Sequence, residues 1–197
     1  MFCLNSEWQG CESPQLERGA RELARELFGD APHLDLGPSE CDSLDSRDGV
    51  FALDCVVGRF QRTMRKLDDA APERIFTVGG TCGSEAAPVA YLAHRHPGLG
   101  VVWFDAHGDL NTPAASPSGH FHGMVLRTLL GDGPSGFTDH IACPLDPARV
   151  VVAGVRDMDV AEREYARSSG LALIERWPHD AAARIVDSLR SAGVTQL

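Results

Sequence analysis

The sequence predicts an α/β protein with three layers, α-β-α, built on a mainly parallel sheet. Short apolar runs rich in β-branched and aromatic residues alternate with longer segments that carry apolar residues at helical spacing. This alternation is typical of parallel strands joined by crossover helices that cover both faces of the sheet. Polar, glycine-containing segments beginning at Gly79, Asp105 and Gly154 each follow an apolar run. Right-handed crossovers would bring all of them to the edge formed by the carboxyl ends of the strands.

The first half of the chain predicts strands and helices in turn. The first helix has Ser13 as its N-cap, Pro14 as its first residue and Gly29 as its C-cap. Its predicted apolar face comprises Leu16, Ala20, Leu23, Ala24, Leu27 and Phe28. Residues 30–48 are polar and rich in turn-forming residues and are expected to form a loop that contains one short strand. The remaining predicted elements are an edge strand at 1–4, a strand at 33–36, a helix at 50–67, a strand at 74–78 and a helix at 84–94.

The second half opens on an apolar run, Val101 to Phe104, that predicts a fully buried strand. A long surface loop, rich in glycine and proline, is expected at 131–147. The other predicted elements are a helix at 122–130, a strand at 150–152, a helix ending near 167, a strand at 171–174, a helix at 180–191 and the start of a further strand at 194–197.

Composition excludes several classes of function. The chain of 197 residues is expected to form one domain, 1–197, with a substantial core. A net charge of −10 and a pI near 5.2 argue against a nucleic acid or an anionic membrane as partner. No apolar run is long enough to cross a bilayer, and the first residues lack the pattern of a secretory signal. We therefore expect a cytoplasmic protein.

The six cysteines are scattered along the chain and form no CxxC pair. A structural zinc site or a redox site is therefore not indicated. We expect reduced, mostly buried and inert thiols, as is usual for a cytoplasmic protein.

The strongest motif follows the buried strand at 101–104. Asp105, His107 and Asp109 place two carboxylates and an imidazole within five residues, a hard ligand set that suits Mn²⁺ and is tolerated by Zn²⁺ or Fe²⁺. His122 lies in a glycine-punctuated segment that can fold over the same pocket. In the alternative interpretation the two carboxylates cap a following helix and His107 is a packed loop residue.

The segments DAHGDLNT and SGHFHGM, in this order and spacing, resemble the ureohydrolases (arginase, agmatinase and relatives), and the arginase branch most closely. The resemblance implies an arginase/deacetylase-like fold and a metal-dependent hydrolase of a guanidino or amidine C–N bond. Urea would be released by attack of a metal-bridging hydroxide. It also implies two Mn²⁺ ions in the complete site, with zinc or iron as alternatives, a small guanidino substrate and a homo-oligomer active in arginine metabolism.

The resemblance also assigns roles to single residues. Asp105 corresponds to a carboxylate that bridges both ions, while His107 and Asp109 correspond to ligands of one ion each. His122 corresponds to a proton shuttle, and its unperturbed pKa suits that role. The positions that hold the substrate's carboxylate end are Asn111, Ser118 and His120, and those that face its amino end are Asp159 and Glu162. Alternatively, the last two only place negative charge at a helix N-terminus, and His120 is a solvated loop residue.

Three departures from the family pattern qualify this assignment. Cys82 replaces a metal-binding histidine in the family's GGDH motif, and a thiolate is a softer ligand than Mn²⁺ prefers. Cys82 is therefore expected either to remain a metal ligand, with a preference shifted toward zinc or iron, or to pack without ligating and leave that metal weakly held. His120 stands where arginases usually carry asparagine. The chain also stops at Leu197, before the family's strand with a DxD pair, so the resemblance predicts an incomplete arginase-like domain whose C-terminal part is missing.

These departures leave an alternative open, namely a catalytically silent arginase-family fragment that binds at most one metal. A zinc deacetylase of the same broad fold is a weaker alternative, because the chain lacks the tandem histidines of that family.

Overall fold

The computed structural model describes residues 1–37, 41 and 43–197, and its strands form two three-stranded parallel sheets. The strand order is β2-β1-β3 in the first sheet and β4-β5-β6 in the second. The strands are β1 (Phe2–Asn5), β2 (His33–Asp35), β3 (Phe76–Gly79), β4 (Val101–Phe104), β5 (Val150–Val155) and β6 (Ala172–Glu175). Every pair in these sheets is parallel, which confirms the predicted mainly parallel α/β architecture.

Helices connect the strands as the alternation predicts. They are α1 (Gln15–Phe28), α2 (Leu53–Ala70), α3 (Ala86–Arg95), α4 (Val125–Leu129), α5 (Ser135–Thr138), α6 (Val160–Ser169) and α7 (Ala181–Ser191). Short 3₁₀ helices lie at Gln9–Cys11, Cys82–Glu85, Phe121–Met124 and Pro147–Arg149. Two of these, at Cys82 and at Phe121, carry residues of the site described below.

Both faces of each sheet are covered, which makes the architecture three-layered. In β5, Val150 and Val152 belong to the main core, whereas Val151 and Ala153 face the cluster formed with α7. In the first sheet, Cys3 packs with Leu67 of α2 and Tyr91 of α3. Its neighbour in sequence, Leu4, packs on the opposite face with Ala20, Ala24 and Phe28 of α1. Successive strand side chains alternate between faces, so each strand needs a helix on either side.

Several local predictions are wrong. The strand at the N-terminus is the central strand of its sheet and not an edge strand, because it pairs with both β2 and β3. Leu23 and Leu27 of α1 are more than half exposed, because only the narrower face of Ala20, Ala24 and Phe28 contacts the sheet.

Two connecting segments also differ from expectation. The predicted surface loop 131–147 contains α5, whose Phe137 is 1% exposed and stacks on Phe121. Residues 194–197 form no strand, although the Gln196 carbonyl accepts a hydrogen bond from the Gly100 amide at 2.9 Å. The predicted loop 30–48 falls partly on residues 38–40 and 42, which lie outside the described residues.

The cysteines do not all remain free thiols. Cys41 and Cys55 are joined in a disulfide, which corrects the expectation of reduced thiols for these two residues. Cys3, Cys11, Cys82 and Cys143 are free, and Cys3 is fully buried. Within the described part of the chain, no helix combines the length and the apolar character that spanning a membrane requires.

Candidate functional site

The end of β4 is tied to its neighbour by main-chain hydrogen bonds. The Asp105 amide donates to the Ala153 carbonyl of β5 at 3.1 Å, and the Ala106 carbonyl accepts from the Arg156 amide at 2.8 Å. The Asp105 side chain accepts a hydrogen bond from the His107 amide at 2.9 Å, which closes a tight turn. The next helical segment along the chain begins only at Phe121, so the alternative in which Asp105 and Asp109 cap a helix is wrong.

Asp109 is held in an unusual position. It is only 2% exposed, and its backbone lies in the left-handed region, at φ 52°. Non-glycine residues rarely adopt this conformation, and in proteins it is concentrated at functional sites. The indole Nε1 of Trp103 donates to its carboxylate at 3.2 Å. The adjacent Leu110 amide donates to Glu162 at 2.9 Å, which fixes the loop against α6.

Cys82 reaches the same place from the first sheet. It begins the 3₁₀ helix after β3, and its Sγ lies 3.7 Å from Oδ2 of Asp105. Ligand atoms of Cys82, Asp105 and Asp109 all lie within 4.8 Å of one another. The sulfur and the two carboxylates therefore converge on one point, where the carboxyl ends of β3 and β4 approach each other.

The loop that carries Cys82 is fixed by a buried carboxylate, Glu7, which is 3% exposed. Glu7 accepts hydrogen bonds from the Thr81 hydroxyl and the Gly10 amide, and its carbonyl accepts from the Thr81 amide at 3.0 Å. Burial raises the pKa of Glu7, whereas these hydrogen bonds and the charge of Arg59 act in the opposite direction. Glu7 thus links the segment after β1 to the segment after β3.

The cluster is strongly acidic and poorly solvated. Burial, reinforced by the Asp105 carboxylate, raises the pKa of Asp109 to about 7. Burial and the two carboxylates also raise the pKa of the Cys82 thiol. The donors thus repel one another when all are ionised, and a divalent cation among them would remove that repulsion. The donor set therefore fits a metal ion.

The two histidines of the motif differ in position. Nδ1 of His107 lies 3.3 Å from Oδ1 of Asp105, but the His107 side chain is 65% exposed and its ring is not part of the three-donor group. His122 lies on the 3₁₀ helix at Phe121–Met124, and its side chain lines the same cavity. Burial lowers the pKa of His122, and the neighbouring His120 and His107 lower it further, so its imidazole is neutral near pH 7.

A cavity of about 550 Å³ opens over the cluster. No Lys or Arg is found among the described residues that line it. The lining residues are Cys11, Leu16, Gly80, Thr81, Cys82, Asp105, His107, Asp109, Asn111, Ser116, Pro117, Ser118, His122, Gly123, Asp159 and Glu162. Such a cavity has the size of a small-molecule site and attracts cations.

Four of the five residues assigned to substrate binding line this cavity. Asn111 donates from Nδ2 to Asp159 at 2.7 Å. Glu162 accepts from the amides of Asp159 and Leu110, so both of its carboxylate oxygens bind the main chain, as in a capping box. Glu162 therefore has a structural role in addition to lining the cavity.

The other two residues assigned to substrate binding differ, since Ser118 is among the residues that line the cavity and His120 is not. Ser118 lines the cavity and accepts a hydrogen bond from the His120 amide at 3.2 Å. The His120 ring lies edge-on to Phe51, with centroids 5.5 Å apart, and its Nε2 is 3.6 Å from the Glu12 carboxylate.

Sequence reasoning missed Trp103 and Glu7. Glu7 follows the carboxyl end of β1 by two residues, so the rule that located Asp105 also points to it. Trp103 belongs to the apolar run that predicts β4, and no sequence signal marks its N–H as the partner of Asp109.

The fold and the site together define a class of protein: a three-layer α/β protein with a metal-type donor cluster at the carboxyl ends of its parallel strands. The sequence model of the arginase family matches residues 11–191. The chain therefore belongs to the arginase family.

Similar proteins agree with this assignment. The chain is 34% identical to arginase from Bacillus subtilis over 143 residues, which are 70% of this chain and 48% of that protein. It is 33% identical to N(omega)-hydroxy-L-arginine amidinohydrolase from Streptomyces lavendulae over 141 residues, 68% of this chain and 50% of that protein. The chain thus spans about half the length of these curated relatives.

Solved structures show the same fold. The crystal structure of Bacillus subtilis arginase matches with a TM-score of 0.74 and 25% identity, over 96% of this chain and 70% of that chain. Entamoeba histolytica arginase, solved in complex with L-ornithine, matches with a TM-score of 0.78 and 20% identity, over 97% of this chain and 70% of that chain. The predicted arginase-like fold is therefore confirmed, together with the expectation that the chain corresponds to part of it.

Proposed function

We propose that this protein is a metal-dependent amidinohydrolase that cleaves a guanidino C–N bond and releases urea. The main support is the convergence of Cys82, Asp105 and Asp109 within 4.8 Å in a chain of the arginase family. These three residues would hold a divalent cation, with His107 as a further ligand. A bound divalent cation would lower the pKa of water and so supply hydroxide near neutral pH, which is the nucleophile that attack on a guanidinium carbon needs.

The protein's own groups have complementary tasks in this proposal. The acidic cavity attracts and orients a cationic guanidino compound. His122, neutral at pH 7 and half-buried beside the cluster, accepts a proton released during hydrolysis and donates it to the departing amine. Trp103 and Glu162 hold Asp109 and its loop in place. A cytoplasmic location, expected from the sequence, and a homo-oligomer, implied by the family resemblance, remain predictions.

A second proposal is a catalytically silent protein that binds at most one metal. It is favoured by the number of donors, since the described residues contain one group of three and the His107 ring lies outside it. One such group fills a single metal shell incompletely.

Metal content and urea release distinguish the two proposals. After equilibration with Mn²⁺ and removal of excess metal, the enzyme is expected to retain about two ions per chain and to release urea from a guanidino compound. Arginine, agmatine and 4-guanidinobutyrate are the compounds to test. One ion or none, with no urea from any of the three, would support the silent protein and contradict the enzyme.

Replacing Cys82 tests the choice of metal. A thiolate ligand favours Zn²⁺ or Fe²⁺ over Mn²⁺, so Cys82→His is expected to raise the affinity for Mn²⁺ about tenfold and lower that for Zn²⁺. Calorimetric titration with each metal measures both constants. Cys143→Ser, at a cysteine outside the cavity, is the control and should change neither. Equal Zn²⁺ affinities for the wild type and Cys82→Ser would show that the thiol is not a ligand.

A further inference from the structure

The disulfide between Cys41 and Cys55 joins an exposed segment of the chain to the start of α2. The two cysteines are 14 residues apart in sequence, and Cys55 lies in the first turn of α2 with 5% of its surface exposed. Cys41 is partly exposed, so a small reductant can reach its sulfur. Residues 43–49 are all exposed. Because this segment buries so little apolar surface, its order depends on the cross-link and on a few polar contacts.

The turn at residues 47–52 has a strained backbone. Arg47 and Val50 exchange two main-chain hydrogen bonds of 2.9 Å, and Val50 is fully buried. Asp48 and Ala52 lie in the left-handed region, at φ 52° and 50°, although neither is glycine. Such conformations cost free energy and persist only where the surrounding structure fixes them. The turn is therefore expected to relax when one of its constraints is removed.

This turn packs against the loop at residues 113–120, which belongs to the cavity wall. The Phe51 amide donates to the Gly119 carbonyl at 2.8 Å, and the Phe51 ring contacts that of His120. A Cβ at Gly119 would lie 2.9 Å from the Gly49 carbonyl oxygen, so the two main chains are in direct contact. The loop contributes three residues to the cavity lining, namely Ser116, Pro117 and Ser118. Its position thus depends on the turn that the disulfide constrains.

The loop at 113–120 also contacts the segment that carries a free thiol of the cavity. Nε2 of His120 lies 3.6 Å from the Glu12 carboxylate, and the adjacent Cys11 lines the cavity. Burial raises the pKa of the Cys11 thiol, which makes this thiol slow to react while the wall is in place. The reactivity of Cys11 can therefore report a displacement of the loop.

We propose that the Cys41–Cys55 disulfide is a redox switch that controls access to the cavity. In the oxidised chain the disulfide holds the turn at 47–52, and the turn holds the loop at 113–120. A dithiol reductant attacks the Cys41 sulfur and breaks the S–S bond; Cys41 and Cys55 become thiols, and the reductant becomes a disulfide. The turn and the loop then lose their order, and the cavity opens while the rest of the fold is kept.

The predicted location of the chain agrees with a switch. Disulfides in a reducing compartment are usually transient or redox-sensing, and the sequence predicts a cytoplasmic protein. The inference concerns access to the cavity and not the reaction, so it stands or falls independently of urea release.

Trypsin cleavage after Arg47 measures the order of the turn. Arg47 forms ion pairs with Asp48 and Asp54 in addition to its bonds to Val50. The reduced chain is expected to be cleaved there about tenfold faster than the oxidised chain, because proteolysis requires local unfolding. Fragments are identified by mass spectrometry after full reduction, since the disulfide spans the cleaved bond. Equal rates would overturn the switch.

The oxidation state is established first. After treatment with diamide and its removal, titration of the unfolded chain should give four free thiols, against six after reduction with dithiothreitol. Six thiols in both samples would overturn the inference. The far-UV circular dichroism spectrum of the reduced chain should match that of the oxidised chain, because a switch connects two folded states. Global loss of structure on reduction would contradict it.

Alkylation of Cys11 measures the coupling to the cavity. Labelling by iodoacetamide, followed by mass spectrometry, is expected to be about tenfold faster in the reduced chain, because the loosened wall exposes the thiol. Faster cleavage after Arg47 without faster labelling of Cys11 would overturn the coupling.

Two variants separate the disulfide from other effects of the reductant. Cys41→Ser should show fast cleavage and fast Cys11 labelling with or without dithiothreitol. Cys143→Ser, at a free cysteine outside the cavity, should respond to reduction as the wild type does. If Cys41→Ser still responded to the reductant, the response would come from another group and the proposed switch would be wrong.

Discussion

Asp105→Asn is expected to weaken the binding of Zn²⁺ or Mn²⁺ by about 100-fold or more, because it removes a direct anionic ligand. Asp105 is one of the three donors of the cluster, with Oδ2 at 3.7 Å from the Cys82 sulfur. The amide oxygen of asparagine can still accept the hydrogen bond from the His107 amide, so the turn after β4 is kept. The variant therefore removes charge from the cluster with little change in shape.

The same substitution is not expected to destabilise the metal-free chain. Asp105 contributes to the raised pKa of Asp109, so removing its charge relieves repulsion at a buried carboxylate. Thermal unfolding without metal should give a Tm equal to or above that of the wild type. The increase in Tm on adding Zn²⁺ should be lost, because a ligand that no longer binds the folded state cannot stabilise it.

A matched control separates this effect from general electrostatics. Asp157→Asn changes the charge by the same amount at an exposed position shortly after β5, outside the cavity. It should leave the metal dissociation constant within about twofold of the wild type, as expected for an exposed charge. If Asp105→Asn binds metal as tightly as Asp157→Asn, the cation is held elsewhere and the proposed centre is wrong.

The alternation of strands and helices could be predicted because a strand that is buried on both faces consists of consecutive apolar residues. Val150 to Ala153 form an uninterrupted apolar run, and the structure places successive residues of this run in two different cores. No such local pattern in the sequence shows whether a strand lies at the centre or at the edge of its sheet. β1 was expected at an edge, yet it pairs with β2 and β3, which lie about thirty and seventy residues further along the chain.

In the site, too, most features that depend on nearby residues could be predicted and most of those that depend on distant residues could not. Asp105 and Asp109 belong to one loop, so their proximity could be predicted from their spacing. Cys82 could be placed beside them because the carboxyl ends of parallel strands lie at the same edge of a sheet. Spacing does not determine the direction of a side chain. His107 lies between the two carboxylates in sequence, but its ring remains largely exposed while both carboxylates join the cluster.

The hydrogen-bond partners of polar groups were the least predictable feature. Glu162 was assigned to the substrate, yet its carboxylate oxygens accept from two backbone amides. The Asn111 amide was assigned to a carboxylate of the substrate, yet its donor is taken by Asp159. Apart from the Asp159 amide, which is three residues from Glu162, each partner lies about fifty residues away in sequence, and the packing of α6 against the loop after β4 brings these groups together.

Gly80→Ala is expected to destabilise the folded chain by about 3 kcal/mol, at the upper end of the range for overpacking. A Cβ at this position would lie 1.9 Å from the Glu7 carbonyl oxygen and 2.8 Å from its carbonyl carbon. Neither atom belongs to a flexible side chain, so relief requires the backbone of one segment to move. Urea denaturation, with the free energy of unfolding extrapolated to water, measures the loss.

The surrounding hydrogen bonds resist that movement. The Gly80 amide donates to the Asn5 carbonyl at 3.2 Å, and the Thr81 amide donates to the Glu7 carbonyl at 3.0 Å. The Glu7 carboxylate also binds Thr81 and Gly10, so a shift that admits the new methyl group breaks several bonds of buried groups at once.

Gly19→Ala is the matched control, since it adds the same methyl group on the exposed side of α1, where no described atom outside the neighbouring helix backbone lies within 4 Å. It should stabilise the chain by about 0.5–1 kcal/mol, because alanine loses less backbone entropy in a helix. Equal stabilities for the two variants would mean that the segments after β1 and β3 are not packed as described. Because Cys82 follows Gly80 by two residues, Gly80→Ala should also lower Zn²⁺ affinity if the close contact with Glu7 sets the position of the thiol.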